Sequence, residues 1–344
     1  MLRGRCDSFV VETNVHYPTD INLLFDAMRK MITLTARLHE KHELTDWRQS
    51  AYNIRHVKRL MRTAQNKKRS RAKTEEQQKK REAIIIEAHQ KYITIANDYL
   101  KKVSHTLGKL NLQDVNDVIQ IEDIGKFMRH AERQISQINR RVIHGEEIPH
   151  EEKVFSIFEP HTECVVKGKA GVPVELGLKV CILEDQYQFI LHHEVMENKT
   201  DEQITTTMID KTQKRFSDLQ ICSFDKGFHS PKNQELLSEK LRFVVLPRKG
   251  KLSKKACIIE ASEEFRKARC KHSAVESAIN ALEVHGLDRC PDHGIHGFKR
   301  YVALAIVARN IQRIGAILQM KEQKRAARAR NHYYHHDGTL KHAA

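Results

Sequence analysis

The chain lacks a long apolar run, a signal peptide and paired cysteines, the sequence features typical of membrane proteins, secreted proteins and zinc-binding domains. No run of 18 apolar residues occurs, so the sequence predicts no membrane-spanning segment. The opening residues, Met1 to Arg5, lack the apolar core of a signal peptide. Seven cysteines are scattered without a Cys-x-x-Cys pair, which favours reduced thiols in the cytosol. A zinc site remains an alternative at one cluster of possible ligands: Cys270, His272, Cys290, His293 and His296. Against it, Cys270 and His272 would point roughly 200° apart around a helix.

The chain is also short of acidic residues. It has 344 residues, with 60 Lys and Arg against 44 Asp and Glu, so the formal net charge is +16. Such an excess favours a polyanionic partner, because neutralised phosphates release their condensed counterions. A ribosomal or chromatin protein, or a helical scaffold that binds RNA, could share this charge. The length suffices for two or three modules.

Two kinds of hydrophobic pattern divide the chain. In residues 21–147, apolar residues recur at steps of three to four, which indicates amphipathic helices. Shorter β-type runs on either side predict strands at 5–13, 173–183, 187–196, 219–224 and 241–246. Further helices are predicted at 201–216, from about 230, at 262–285 and at 297–325.

If the helical block is set aside, the order of elements is that of a ribonuclease H-like core. We therefore predict an α/β fold: a mixed five-stranded sheet flanked by helices, with a large all-helical insertion between the first two strands. The expected division is a first strand at 1–20, a basic helical insertion at 21–150, the rest of the core at 151–320, and a basic, His-rich tail at 321–344.

Three carboxylates occupy positions that converge in such a core. Asp7 lies on the first strand, Asp225 ends the strand at 219–224, and Glu276 lies on a helix after the last strand. Oxygen ligands of this kind suit Mg²⁺, and two such ions can act on a phosphodiester. Each residue has a structural alternative: a strand-end carboxylate, a turn residue, and a solvated helix face with an i,i+4 pair to His272.

Four stretches resemble the DDE transposases of bacterial insertion sequences. Residues 7–20 are similar to the first-aspartate block, and residues 155–162 with Lys167-Gly168-Lys169 to the lead-in of the second strand. Residues 223–230 resemble the second-aspartate block, and residues 272–280 with 286–290 resemble the glutamate block. Members of that family usually carry an N-terminal helical domain before the first aspartate, whereas this chain opens six residues before Asp7.

The resemblance implies a function and a set of partners. It implies two-metal phosphodiester hydrolysis and strand transfer at transposon ends, with two Mg²⁺ ions that Mn²⁺ can replace. Asp7 would bridge the metals, Asp225 would bind one of them and Glu276 the other. The expected partners are double-stranded DNA and a second copy of the chain, in a nucleoid-associated, cytoplasmic setting without a membrane. The alternative is a non-catalytic, DNA-binding remnant of a truncated transposase.

Basic side chains near these blocks are candidates for contact with the DNA backbone, with a solvated charged surface as the alternative reading. One group belongs to the basic part of the helical block, another to a loop after the last predicted strand, and a third to the helix that carries Glu276. In chain order they are Lys67, Lys68, Arg69, Arg71, Arg248, Lys249, Lys251, Lys254, Lys255, Arg269 and Lys271.

Overall fold

The computed structural model describes residues 1–69, 73–110, 114–166 and 174–340, and their side chains except at 69 and 329–340. Within these residues the chain forms two compact units. One comprises Met1–Asn14 and the chain from His161 onward, and the other comprises Val15–Pro160.

The second unit is helical. It contains α1 (Asp20–Lys41), α2 (Ser50–Arg69), α3 (Glu75–Leu107) and α4 (Val115–Ile138), followed by a π-helical turn at Asn139–Ile143 and a 3₁₀ turn at His150–Glu152. Thr19, Thr74 and Asp114 cap α1, α3 and α4, because each side chain accepts a hydrogen bond from a backbone N–H three residues on. The apolar faces pack into one core in which Leu24 and Tyr92 are fully buried. The predicted helical insertion is therefore confirmed.

The first unit contains a mixed sheet with helices on both sides. Its strands are β1 (Leu2–Thr13), β2 (Glu163–Val166), β3 (Val174–Asp185), β4 (Ile190–Met196), β5 (Leu219–Phe224), β6 (Phe243–Val245) and β7 (Arg289–Cys290). Its helices are α5 (Asp201–Gln213), α6 (Pro231–Lys240), α7 (Lys254–Ala261), α8 (Glu263–His272), α9 (Ala274–Leu282) and α10 (Gly294–Leu340).

The sheet runs in the order β2-β3-β1-β5-β6, and β4 pairs with the later part of β3. β1 is antiparallel to β3 and parallel to β5, and β5 is parallel to β6. This confirms the predicted fold class, a mixed α/β sheet flanked by helices. β2 and β7 were not expected as separate strands, since two to four residues carry too little alternation to be recognised.

Alternate side chains of β1 pack into two hydrophobic cores, one on each face of the sheet. Phe9 and Val11 pack with residues of α9 and α10 on one face, whereas Cys6 packs with residues of α5 and α6 on the other. β1 is thus the central strand on which both layers rest.

The single helix predicted at 262–285 is wrong. Ser262 ends α7 and caps α8, where its hydroxyl accepts from the Phe265 N–H at 3.3 Å. α8 and α9 are separated at Ser273, and a π-helical turn at Glu283–Leu287 follows, in which Gly286 has φ +101°. α7 precedes this region and begins at Lys254, inside the loop that was predicted to follow the strand at 241–246.

α10 continues past the predicted end at 325. Within the described residues, its part Gly294–Arg328 is long and apolar enough to cross a membrane, by length and composition alone.

Candidate functional site

Strand register brings two of the predicted carboxylates side by side. Cys6 of β1 lies opposite Phe224, the last residue of the parallel strand β5. Asp7 and Asp225 each follow directly on these neighbours, so they occupy adjacent positions at the carboxyl edge of β5. Asp7 shares its face of the sheet with Phe9 and Val11, the face that α9 covers.

Glu276 lies in the first turn of α9, on the same side of the sheet. The helix is held there by Val275 and Ala278, which are buried against β1 and β3 residues. Glu276 and Asp225 are exposed, whereas Asp7 is half-buried. The three carboxylates thus come from the elements predicted to bring them together.

The pKa of Asp7 reflects both its burial and the nearby carboxylates. The pKa of Asp7 is raised from 3.8 to about 6, chiefly by burial. The charges of Asp225, Asp201 and Glu276 contribute to the rise, and the backbone hydrogen bond from Ser8 opposes it. The Ser8 N–H donates to Asp7 Oδ1 at 2.8 Å and orients the carboxylate. Among the residues that the structure describes, no three His, Cys, Asp or Glu side chains are arranged to hold a metal ion as they stand.

Asp201 is a fourth carboxylate near the site that the sequence did not reveal. It begins α5, accepts a hydrogen bond from Ser8 Oγ at 2.6 Å and pairs with Lys179 Nζ at 3.1 Å. Residues 8, 179 and 201 meet only through the sheet, so no local pattern could have identified the contact.

His272 contacts β5 rather than forming the predicted alternative pair with Glu276. Its Nδ1 lies 3.0 Å from the Ser223 hydroxyl, two residues before Asp225. Burial lowers the pKa of His272, and the nearby Asp225 and Glu276 charges oppose that effect. The contact fixes the end of α8, and therefore the start of α9, beside the carboxylates.

Arg5 supports the same corner of the site. Its guanidinium donates to the Asp185 carbonyl at 2.6 Å and pairs with the buried Glu184 at 3.1 Å. It also donates to the Lys271 carbonyl at 3.4 Å, which ties β1 to the end of α8. Burial raises the pKa of Glu184 to about 7, although the Arg5 charge opposes the rise.

The predicted basic residues fall on several different elements. Lys67 and Lys68 are exposed on the last turns of α2, in the helical unit; the side chain of Arg69, and Arg71 as a whole, lie outside the described residues. Lys249 donates to the Gly227 carbonyl at 2.9 Å, so the segment after β6 lies beside the 3₁₀ turn Lys226–Phe228 that follows Asp225. Arg248 is half-buried, and its N–H donates to Glu260 Oε1 at 3.0 Å. The others are exposed: Lys251 before α7, Lys254 and Lys255 on α7, and Arg269 and Lys271 on α8.

Glu12, near the end of β1, pairs with Arg289 at 2.8 Å and so links β1 to β7. Of the possible zinc ligands, Cys270 is exposed and Cys290 is buried, and no metal-binding group forms among the described residues.

The fold and the site together define an α/β protein whose mixed sheet carries a cluster of carboxylates at the carboxyl edge of β5. Comparison of the chain with family models, with curated proteins and with solved structures finds no match.

Proposed function

We propose that the chain is a DNA transposase of the DDE type, which hydrolyses a phosphodiester and transfers the strand at transposon ends. The observation that carries the proposal is that Asp7 on β1, Asp225 at the end of β5 and Glu276 in the first turn of α9 lie towards one side of the sheet. Burial is the main cause of the raised pKa of Asp7, and the nearby charges of Asp225, Asp201 and Glu276 add to the rise. Such a concentration of negative charge in a chain of net charge +16 calls for a cationic ligand.

The donor set fits divalent magnesium or manganese by its chemistry. All three candidates are carboxylates, the oxygen ligands that these hard cations prefer, and Mg²⁺ retains several waters so that few protein ligands suffice. Asp7, Asp225 and Glu276 would hold the ions. Bound there, the ions supply Lewis-acid stabilisation of the phosphate and activation of water.

The chain's own residues supply orientation and charge. Ser8 fixes the Asp7 carboxylate through its N–H, and its hydroxyl holds Asp201. His272 and Arg5 hold the α8–α9 junction that carries Glu276. In the hydrolytic step the water oxygen bonds to phosphorus and the bond to the bridging 3′ oxygen breaks, which leaves a 3′-hydroxyl and a 5′-phosphate.

A non-catalytic DNA-binding protein derived from a transposase is the second candidate. One observation favours it: in the described part of the chain the carboxylates do not form a three-ligand group ready to hold a metal. Exposed lysines and arginines on α2, α7 and α8 would still bind DNA in that case.

The two candidates differ in divalent-dependent cleavage. We expect Mn²⁺ or Mg²⁺ to raise the melting temperature of the parent chain, because a ligand of the native state stabilises it. We also expect nicking of duplex DNA. Asp225→Asn should abolish the metal-dependent shift and lower nicking roughly 100-fold, while DNA affinity changes little, since the basic surface supplies it.

Asp218→Asn is the matched control, because Asp218 is an exposed carboxylate just before the opposite end of β5. It should retain the metal-dependent shift and the nicking. Equal nicking by Asp225→Asn and the parent would refute the site, and DNA binding by the parent without nicking would establish the remnant.

A further inference from the structure

α10 presents a stripe of aliphatic side chains that contacts no part of its own core. Leu304, Val307, Ile311, Ile314 and Leu318 form this α10 stripe, and each is between 49% and 62% exposed. The opposite side of the same helix is buried in the sheet core through Phe298, Val302 and Ile306. The helix therefore carries two apolar faces, of which the described structure covers one.

The spacing of the α10 stripe matches that of a coiled-coil seam. Its members are separated by steps of three, four, three and four residues, which is the a/d pattern of a heptad repeat. This period of 3.5 residues keeps a seam facing a partner helix of the same pattern. The stripe extends over roughly 21 Å of helix, or two heptads.

The residues beside the α10 stripe permit a close helical partner. Ala308 and Gly315 follow Val307 and Ile314, and a Cβ added at Gly315 would meet nothing within 4 Å. The charged residues within the stripe's length are Arg309 and Arg313, and both occupy heptad positions away from the seam. Arg313 donates to the Tyr187 carbonyl at 2.8 Å, on the core-facing side. Two copies of the stripe therefore meet without like charges in the seam.

The basic residues that follow the α10 stripe favour antiparallel over parallel pairing of two α10 helices. Lys321, Lys324, Arg325 and Arg328 follow Leu318 and are exposed. Parallel helices would bring these two basic segments together, whereas antiparallel helices place them at opposite ends. The repulsion is therefore smaller in the antiparallel arrangement.

We propose that α10 pairs with α10 of a second copy of this chain, antiparallel, with Ile311 opposite Ile314 and Val307 opposite Leu318. In this register Leu304 lies opposite Lys321 at each end of the seam, so eight half-exposed aliphatic side chains pair and bury roughly 400 Å² of apolar surface, at about 50 Å² each. Stable interfaces bury about 1,200–2,000 Å² in total. The dimer is therefore weak and depends on concentration. This inference is independent of the proposed catalytic function.

The test is sedimentation of the full chain from roughly 1 to 100 µM. The parent should shift from monomer towards dimer over this range. Ile311→Lys with Ile314→Lys places charges in the seam and should weaken dimerisation at least 10-fold. Gln319→Lys with Gln323→Lys adds the same charge at exposed positions off the stripe and should sediment like the parent. Unchanged circular dichroism would show that both variants fold.

Orientation is tested by cross-linking two chains in which the exposed Cys257 and Cys270 are replaced by serine. A Val307→Cys chain mixed with a Leu318→Cys chain of different tag length should give the mixed disulfide under air oxidation. Homodimeric disulfides alone would overturn the antiparallel arrangement. The dimer itself is refuted if the parent stays monomeric at the highest concentration, or if the Ile311→Lys, Ile314→Lys variant dimerises like the parent. It is also refuted if the chain floats with phosphatidylglycerol vesicles while remaining monomeric without them.

Discussion

At the scale of single residues, Asp7 is the carboxylate of the site whose ionisation is made unfavourable by its surroundings. Its carboxylate is half-buried next to three other acidic side chains, so its pKa stands at about 6 against 3.8 for an unperturbed aspartate. The folded chain therefore holds this proton more tightly than the unfolded chain does. The stabilising contribution of protonated Asp7 is complete below pH 3.8 and is lost as the pH rises through about 6.

Asp7→Asn should remove this pH dependence. We expect the unfolding free energy of the variant, relative to the parent, to rise by roughly 2 kcal/mol between about pH 4 and pH 7, since one pKa unit corresponds to about 1.4 kcal/mol before screening. Denaturant titrations in the presence of a chelator at several pH values measure it.

Glu235→Gln, at an exposed carboxylate on α6, is the control and should parallel the parent at every pH. A constant difference between Asp7→Asn and the parent across the range would contradict the raised pKa.

At the scale of elements, the pairing of β1 with β3 depends on Gly177. A Cβ at this position would lie 2.0 Å from the Val11 carbonyl oxygen and 2.8 Å from Glu12 Cα. Neither is a flexible side-chain atom, so the two strands would have to separate. This pairing positions the strand that carries Asp7.

Gly177→Ala should therefore destabilise the sheet unit by more than about 2 kcal/mol or prevent it from folding. Thermal unfolding followed by circular dichroism measures the loss. Gly125→Ala, within α4, meets only the tip of Arg129 at 3.5 Å. It should instead stabilise the helical unit by about 0.5–1 kcal/mol, because alanine is a better helix former. A Gly177→Ala chain as stable as the parent would show that the strand pairing tolerates the added atom.

Elements with a long periodic signal were predictable. The helical character of residues 21–147 and strands β3 to β5 follow from their apolar spacing, and a helix start near residue 230 was also expected. The division of 254–287 into α7, α8, α9 and a π-helical turn did not follow. Ser262 caps α8, whereas Ser273, which interrupts the continuous helical pattern, donates its hydroxyl to the Cys270 carbonyl. Whether such a serine ends a helix is decided by packing.

At the scale of the whole molecule, net charge predicts steeply salt-dependent DNA binding with little sequence preference. Each phosphate neutralised contributes about 0.9 to the slope of log affinity against log salt. Alanine substitution of Lys251, Lys254 and Lys255 should lower that slope by up to about 3, as measured by fluorescence anisotropy on duplex DNA.

The matched control replaces Lys79, Lys80 and Lys91, which pair with glutamates one turn earlier on α3. Because each glutamate already offsets the lysine charge, the slope should change less. Equal losses from both triple variants would indicate that bulk charge, and not the α7 surface, binds the DNA.

The sequence by itself determined the fold class, the helical insertion, and the positions of Asp7, Asp225 and Glu276 on their elements. These properties follow from local periodicity and from the order of elements along the chain. Only the tertiary structure decided the surroundings of the carboxylates. Asp201 with Ser8, Arg5 with Glu184, and His272 with Ser223 join residues from 49 to 193 positions apart. Such contacts arise from strand register and helix packing, which no local pattern in the chain encodes.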